Sequence, residues 1–275
     1  MNPLPLHIEK AVSRYQPVEY LGYKLFPIKV RDLEEFTQAR PAIEFVQRSL
    51  PTTYWAKPLL SAYFDLDIAA VLSGKAQTGM FARAIQFLVL SLRLGEGLPM
   101  EQRMKLMQPM IDAEEPTKLK GLRFLINGEE QRVMPPEHFQ ILRPILAAQN
   151  GIELEAEDAN PELLEAERDI ADQNGPKLEF SLHALMSTIS TLTGKTLAEM
   201  DEWSIAELMD KQKDFNRVLR FVTCAVAEGS GASWKGGNPY PSPFFERIKE
   251  NSSALIAMES YAGGAGVQAM QNSSE

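Results

Sequence analysis

Histidine side chains can ligate a metal ion or transfer a proton. The chain has three, His7, His138 and His183, and none belongs to an HExxH pattern or has a CxxC partner. A zinc site needs several nitrogen or sulfur ligands brought together. Asp65 and Asp67 have the spacing of calcium ligands, but no glycine or terminal glutamate completes a calcium loop. The sequence therefore predicts no metal site, and it places both aspartates on a helix.

Two short glycine motifs resemble parts of catalytic sites. Gly194-Lys195-Thr196 ends like a phosphate loop, but Ile189 occupies the position of the first glycine and a helix precedes the motif. Gly229-Ser230-Gly231 falls short of the GxSxG nucleophile elbow, and no strand leads into it. We therefore predict no catalytic residue, no cofactor site and no enzymatic activity, and we interpret Gly194 as the end of a helix.

The charge of the chain is concentrated in one segment. The formal net charge is -9, and residues 151–175 hold nine carboxylates and one cation, Arg168. Overall acidity argues against a nucleic-acid partner, because phosphate binding needs clustered Lys and Arg. The most apolar stretch, residues 80–92, is interrupted by Arg83 and Gln86 and is too short to span a bilayer. With no signal peptide and one cysteine, Cys224, we expect a cytosolic protein without a membrane partner.

The N-terminal region alternates between extended and helical patterns. Residues 18–30 are typical of extended structure with a turn or bulge at Gly22, and Asp32 begins a helix as an N-cap, with Glu35 at capping-box spacing. Helices are predicted over 54–72 and 78–94. Asn127-Gly128 between two extendable runs predicts a hairpin over 122–134.

The remaining elements are helical. Pro136 begins a helix whose apolar face is Phe139, Leu142, Ile145 and Leu146, and Asn150-Gly151 ends it. Further helices are predicted over 181–192 and from Ser204 to Gly229. Apolar residues along the last helix are Ile205, Leu208, Met209, Phe215, Val218, Leu219, Val222 and Val226.

These patterns predict a mainly α-helical protein with small β-hairpins, in two helical pieces. The predicted segments are an N-terminal α+β domain (1–150), an acidic connector (151–175), a C-terminal helical domain with a proline-aromatic strap (176–250) and a tail that is expected to be partly disordered (251–275). Asn160-Pro161 inside the connector is a helix-start signal. The connector is expected to be solvated and sensitive to a Glu-specific protease.

The strap, residues 229–245, contains three prolines within five residues and four large aromatic side chains, which are the candidate partner-binding residues: Trp234, Tyr240, Phe244 and Phe245. One alternative is that Trp234 and Phe244 pack onto the helices. The other is an exposed recognition segment, since proline-rich extended peptides bind at low entropic cost. The first is favoured because exposed large aromatics promote aggregation.

Three stretches resemble the tail assembly chaperones of tailed phages and phage-like contractile particles. They are YLGYKLFPIKV leading into an acidic helix start, TGKTLAEMDEWSIAELM, and SWKGGNPYPSPFF. The resemblance covers about half of the chain. It implies a cytosolic, mostly helical, non-enzymatic protein that binds the tape-measure protein and tail-tube subunits during assembly and is absent from the finished particle. The alternatives are a structural virion component, such as a connector or baseplate protein, and an enzyme with an unrecognised site.

Overall fold

The computed structural model describes residues 4–115, 117–126, 130–155 and 181–233, together with Tyr240 and Ser242. These residues belong to two compact units. The described part of the first unit is 4–155, with its two short gaps, and 181–211. The described part of the second unit is 212–233, Tyr240 and Ser242.

Helices make up most of the described chain. They are α1 (Leu6–Val12), α2 (Leu33–Ala39), α3 (Pro41–Glu44), α4 (Leu59–Leu72), α5 (Met80–Ser91), α6 (Met100–Met104), α7 (Pro136–Gln149), α8 (Leu182–Thr193), α9 (Leu197–Met200) and α10 (Ile205–Gly229). The strands are β1 (Val18–Tyr20), β2 (Tyr23–Leu25), β3 (Met107–Ile111), β4 (Leu119–Ile126) and β5 (Glu130–Met134). The prediction of a mainly helical fold with small antiparallel sheets is confirmed.

The first sheet is the hairpin of β1 and β2, in which Val18 pairs with Leu25. Leu21 and Gly22 form its turn with φ angles of 50° and 76°, and a type I′ turn requires positive φ at both central positions. The predicted turn at Gly22 is confirmed. The extended segment is shorter than predicted, because the strand ends at Leu25.

The second sheet has the order β3-β4-β5 with antiparallel pairing throughout. The predicted hairpin is confirmed in its strands, since Ile126 pairs with Glu130; the Asn127-Gly128 turn lies outside the described residues. Strand β3 was not predicted. It lies at an edge of the sheet, and its central residue is Pro109, which has no N–H group to donate.

The core of the first unit is built around α4, α5 and α7, which contribute the fully buried aromatic side chains Tyr63, Phe87 and Phe139. The Tyr63 ring packs edge-on against Phe45 and Phe139, at centroid distances of 5.6 and 6.5 Å. Its hydroxyl donates to the Ala42 carbonyl at 2.9 Å. The apolar face predicted for α7 is buried here as predicted.

The prediction that Asp32 caps a helix with its side chain is wrong. Asp32 does precede α2, but its carboxylate makes no capping hydrogen bond. Instead Oδ1 accepts from Arg103 Nη1 at 3.1 Å, and Arg103 is buried and also donates to the Leu94 carbonyl. A buried guanidinium without a counter-charge is strongly destabilising, so this ion pair takes precedence over the cap.

Glycines end two helices where the sequence predicted. Gly151 after α7 has φ of 67°, and Gly194 after α8 has φ of 69°. In both cases a residue in the left-handed region follows the helix, a conformation that glycine adopts without steric cost.

The predicted domain division separated residues 176–250 from residues 1–150, whereas the structure places 181–211 in the first unit. Two sets of contacts explain this. Ile205 enters the main core, and Val30 packs in a small cluster with residues of α8, α9 and α10, namely Met186, Ile189, Met200 and Leu208. The backbone of Val30 donates to the Trp203 carbonyl at 2.9 Å, and Lys29 forms a β-bridge with Ser204.

Ion pairs surround this connection. Glu202 accepts from Lys29 Nζ at 2.5 Å and from Arg31 Nη1 at 2.8 Å, and Arg31 also pairs with Glu96. The Lys29 hydrogen bond, together with the nearby arginines, lowers the pKa of Glu202 below its usual range. Of the predicted acidic connector, residues 156–175 and the Asn160-Pro161 signal lie outside the described residues.

Candidate interaction surface

The three histidines considered as metal ligands differ in their contacts and exposure. His138 Nδ1 lies 2.9 Å from the Tyr23 hydroxyl, with the two rings edge-on, while His7 and His183 are exposed. Among the residues that the structure describes, no three His, Cys, Asp or Glu side chains are placed to hold a metal ion.

The two aspartates on α4 have different contacts. Asp65 pairs with Lys57 at 2.5 Å on the surface. Asp67 is buried, and its carboxylate accepts from the Thr78 hydroxyl at 2.6 Å and from the backbone N–H groups of Gly79 and Phe81 at 3.1 and 3.4 Å. Asp67 therefore caps the N-terminus of α5 from a neighbouring helix.

The two glycine motifs serve as helix boundaries. Thr196 is the N-cap of α9 and forms a reciprocal capping box with Glu199. Those bonds and Lys195 lower the pKa of Glu199 to about 2. Ser230 follows the C-terminus of α10, and its hydroxyl donates to the Val226 carbonyl at 2.9 Å.

Of the four predicted partner-binding residues, the structure describes Tyr240; Trp234, Phe244 and Phe245 lie outside the described residues. Tyr240 is half-buried. Its hydroxyl accepts from Arg220 Nη1 at 3.0 Å, and the guanidinium lies 5.5 Å from its ring centroid. Tyr240 thus contacts α10 through a cation–π pair.

The C-terminal half of α10 exposes a row of aliphatic side chains. Val218, Leu219, Val222 and Val226 are 46%, 51%, 47% and 63% exposed. We call these four residues the α10 stripe. At about 100° per residue they lie within about a third of the helix circumference, so they form one continuous face. Ala225 lies beside this face and is also exposed.

The margins of the α10 stripe carry little charge. Helical geometry places Gln212, Asn216 and Thr223 along one margin and Asp214 on the other. The cations of this part of the helix, Lys213, Arg217 and Arg220, project from the opposite side at about 200–260° from Val218. The surface is therefore an apolar face whose contacts would depend weakly on ionic strength.

The sequence showed the apolar pattern of α10 but not which of its apolar residues are buried and which are exposed. Ile205 and Leu208 are buried in the first unit, whereas the equivalent pattern after residue 217 is exposed. Helix α10 has 25 residues, against 14 for α4 and for α7. That excess length was the available signal that the apolar pattern would not be buried along the whole helix.

Comparisons of the chain with models of protein families, with curated proteins and with solved structures found no match. None of the helices in the described ranges combines the length and the apolar character needed to cross a membrane.

Proposed function

We propose that this protein is a non-enzymatic assembly chaperone or scaffold for a phage tail, binding tape-measure and tail-tube proteins in the cytoplasm of the host cell. The resemblance of its sequence to tail assembly chaperones supports the class of partner. The observation that carries the proposal in the structure is the exposed α10 stripe.

An apolar face on a helix suits a helical partner. Amphipathic helices bind by laying one apolar face against another, with anchors at spacings of three and four residues. Val218, Val222 and Val226 repeat at a spacing of four. A tape-measure protein, a long helical rod with apolar stripes, presents the complementary pattern.

The size of the α10 stripe favours transient binding. Full burial of a Val or Leu side chain contributes about 1.5–3 kcal/mol, so covering four that are about half exposed contributes on the order of 3–6 kcal/mol. Association costs about 4–15 kcal/mol because the two partners lose translational and rotational freedom. The stripe therefore needs additional contacts for tight binding, and a complex of moderate affinity suits a factor that leaves the finished particle.

The test is coexpression with the tape-measure protein of the same phage. The wild-type chain should raise the soluble yield of the tape measure and copurify with it. Val222→Glu places a carboxylate inside the apolar contact and should weaken binding at least about tenfold. Because Val222 is about half exposed, the variant should keep the wild-type circular dichroism and melting temperature.

Asn216→Glu is the matched control, since it adds the same charge to the same helix outside the α10 stripe. Equal loss of binding in both variants, or undiminished binding by Val222→Glu, would remove the stripe from the proposal. Stoichiometric amounts of the protein in purified particles would favour a structural virion component instead.

A further inference from the structure

A groove in the first unit has an apolar floor. It lies between α4, the residues that begin β4 and the N-terminus of α7, and its volume is about 750 Å³. Ile68 and Leu72 line it from α4, Leu119 from β4, and Pro136 from α7. Leu72 is 76% exposed, the highest fraction among the exposed large hydrophobic side chains of the described chain. The groove shares no residue with the α10 stripe.

Six of the seven charged side chains that line the groove form ion pairs: Lys57 with Asp65, Lys120 with Asp112, and Lys118 with Glu115 at 3.6 Å; the seventh, Glu137, is exposed at the N-terminus of α7. On the α4 side Lys57 Nζ lies 2.5 Å from Asp65, and on the sheet side Lys120 Nζ lies 3.1 Å from Asp112. Each ion pair favours the charged forms of the side chains in it. The hydrogen bond to Asp65 raises the pKa of Lys57. The Glu114 backbone N–H and Lys120 lower the pKa of Asp112.

This arrangement determines which occupant fits. The lining holds three lysines and four carboxylates, so its net charge is small and a charged ligand gains little net attraction. Each wall nevertheless offers ammonium donors and carboxylate acceptors, and a peptide backbone supplies acceptors and donors in the same proportion. Leucine-like side chains fit the apolar floor between the two walls.

We propose that this groove is a docking site for an uncharged, apolar stretch of a partner protein chain. Its apolar side chains contact Leu72, Ile68 and Leu119, and its backbone amides hydrogen-bond to the Lys57–Asp65 and Lys120–Asp112 pairs. The volume lies within the range of about 300–1,000 Å³ that is usual for ligand-binding pockets.

The experiment titrates the full-length protein with capped peptides about six residues long, which alternate leucine and serine. One peptide is uncharged, a second is flanked by lysines and a third by glutamates. Binding is followed by calorimetry at about 0.05 M and about 0.5 M salt. We expect the uncharged peptide to bind at least as tightly as the others, with an affinity that changes less than about threefold with salt.

Two variants locate the site. Leu72→Glu places a charge over the floor and should weaken binding of the uncharged peptide at least about tenfold. Leu98→Glu is the matched control, because Leu98 is also exposed, at 46%, and does not line the groove. Both substitutions are at exposed positions, and melting temperatures establish that each variant is folded.

Three outcomes would overturn the proposal. The first is no binding of any peptide at about millimolar concentration. The second is equal loss in Leu72→Glu and Leu98→Glu. The third is tight, salt-sensitive binding of the glutamate-flanked peptide alone, abolished by Lys57→Gln and Lys120→Gln, which would make the groove an anion site.

Discussion

Asp67 and Asp65 are two residues apart on α4, yet substitution to alanine should affect stability very differently. Asp67 is 9% exposed, and its carboxylate satisfies the Thr78 hydroxyl and the N–H groups of Gly79 and Phe81 at the start of α5. Asp67→Ala would leave these donors without an acceptor at a helix terminus, where a negative charge is also favoured by the helix dipole.

The magnitude follows from these contacts. Loss of an N-cap side chain costs about 0.5–2 kcal/mol, and a hydrogen bond to a charged group contributes about 1.5–3 kcal/mol. These contributions overlap, so we expect Asp67→Ala to lower the free energy of unfolding by about 2–4 kcal/mol. Asp65→Ala removes a surface ion pair with Lys57, and such pairs contribute about 0–1 kcal/mol.

Urea denaturation followed by circular dichroism measures both changes. The transition midpoint should fall clearly for Asp67→Ala and little for Asp65→Ala, with the same slope in each variant. Asp67→Asn should be intermediate, because an amide oxygen can still accept from Gly79 N–H. Equal effects of the two alanine variants would refute the assignment of Asp67 as the cap of α5.

Two further substitutions test the core and the capping box. Tyr63→Phe leaves the buried Ala42 carbonyl without its hydrogen-bond donor and should lower the free energy of unfolding by about 1–3 kcal/mol, measured by thermal or urea denaturation. Wild-type stability of this variant would mean that the hydrogen bond contributes nothing. Glu199 has a pKa lowered to about 2, so its contribution to stability is complete above about pH 5 and is lost as the pH falls toward 2. The difference in free energy of unfolding between wild type and Glu199→Gln should therefore shrink toward zero over that interval. A difference independent of pH would contradict this.

Local signals in the sequence predicted much of the fold. The turn at Gly22, the helix ends at Gly151 and Gly194, and the apolar face of α7 were all predicted, because each depends on residues within a few positions of one another. The features that were missed depend on partners distant in sequence. Asp32 pairs with Arg103, and Asp67 caps a helix that begins thirteen residues later.

The same limit applies to the interaction surface. The sequence shows that α10 is amphipathic but not which of its apolar side chains are buried, so the exposure of Val222 and Val226 could not be predicted. Strand β3 was missed because Pro109 argues against a strand when the partner strand is unknown.

Pro109 also limits how copies of this protein can associate. An exposed edge strand is a template on which strands from other chains can add and propagate into fibrils. A proline at the middle of β3 removes one of the donors that an added strand would need and interrupts the ladder. The β3 edge is therefore a poor template for the addition of a strand from another copy of this protein.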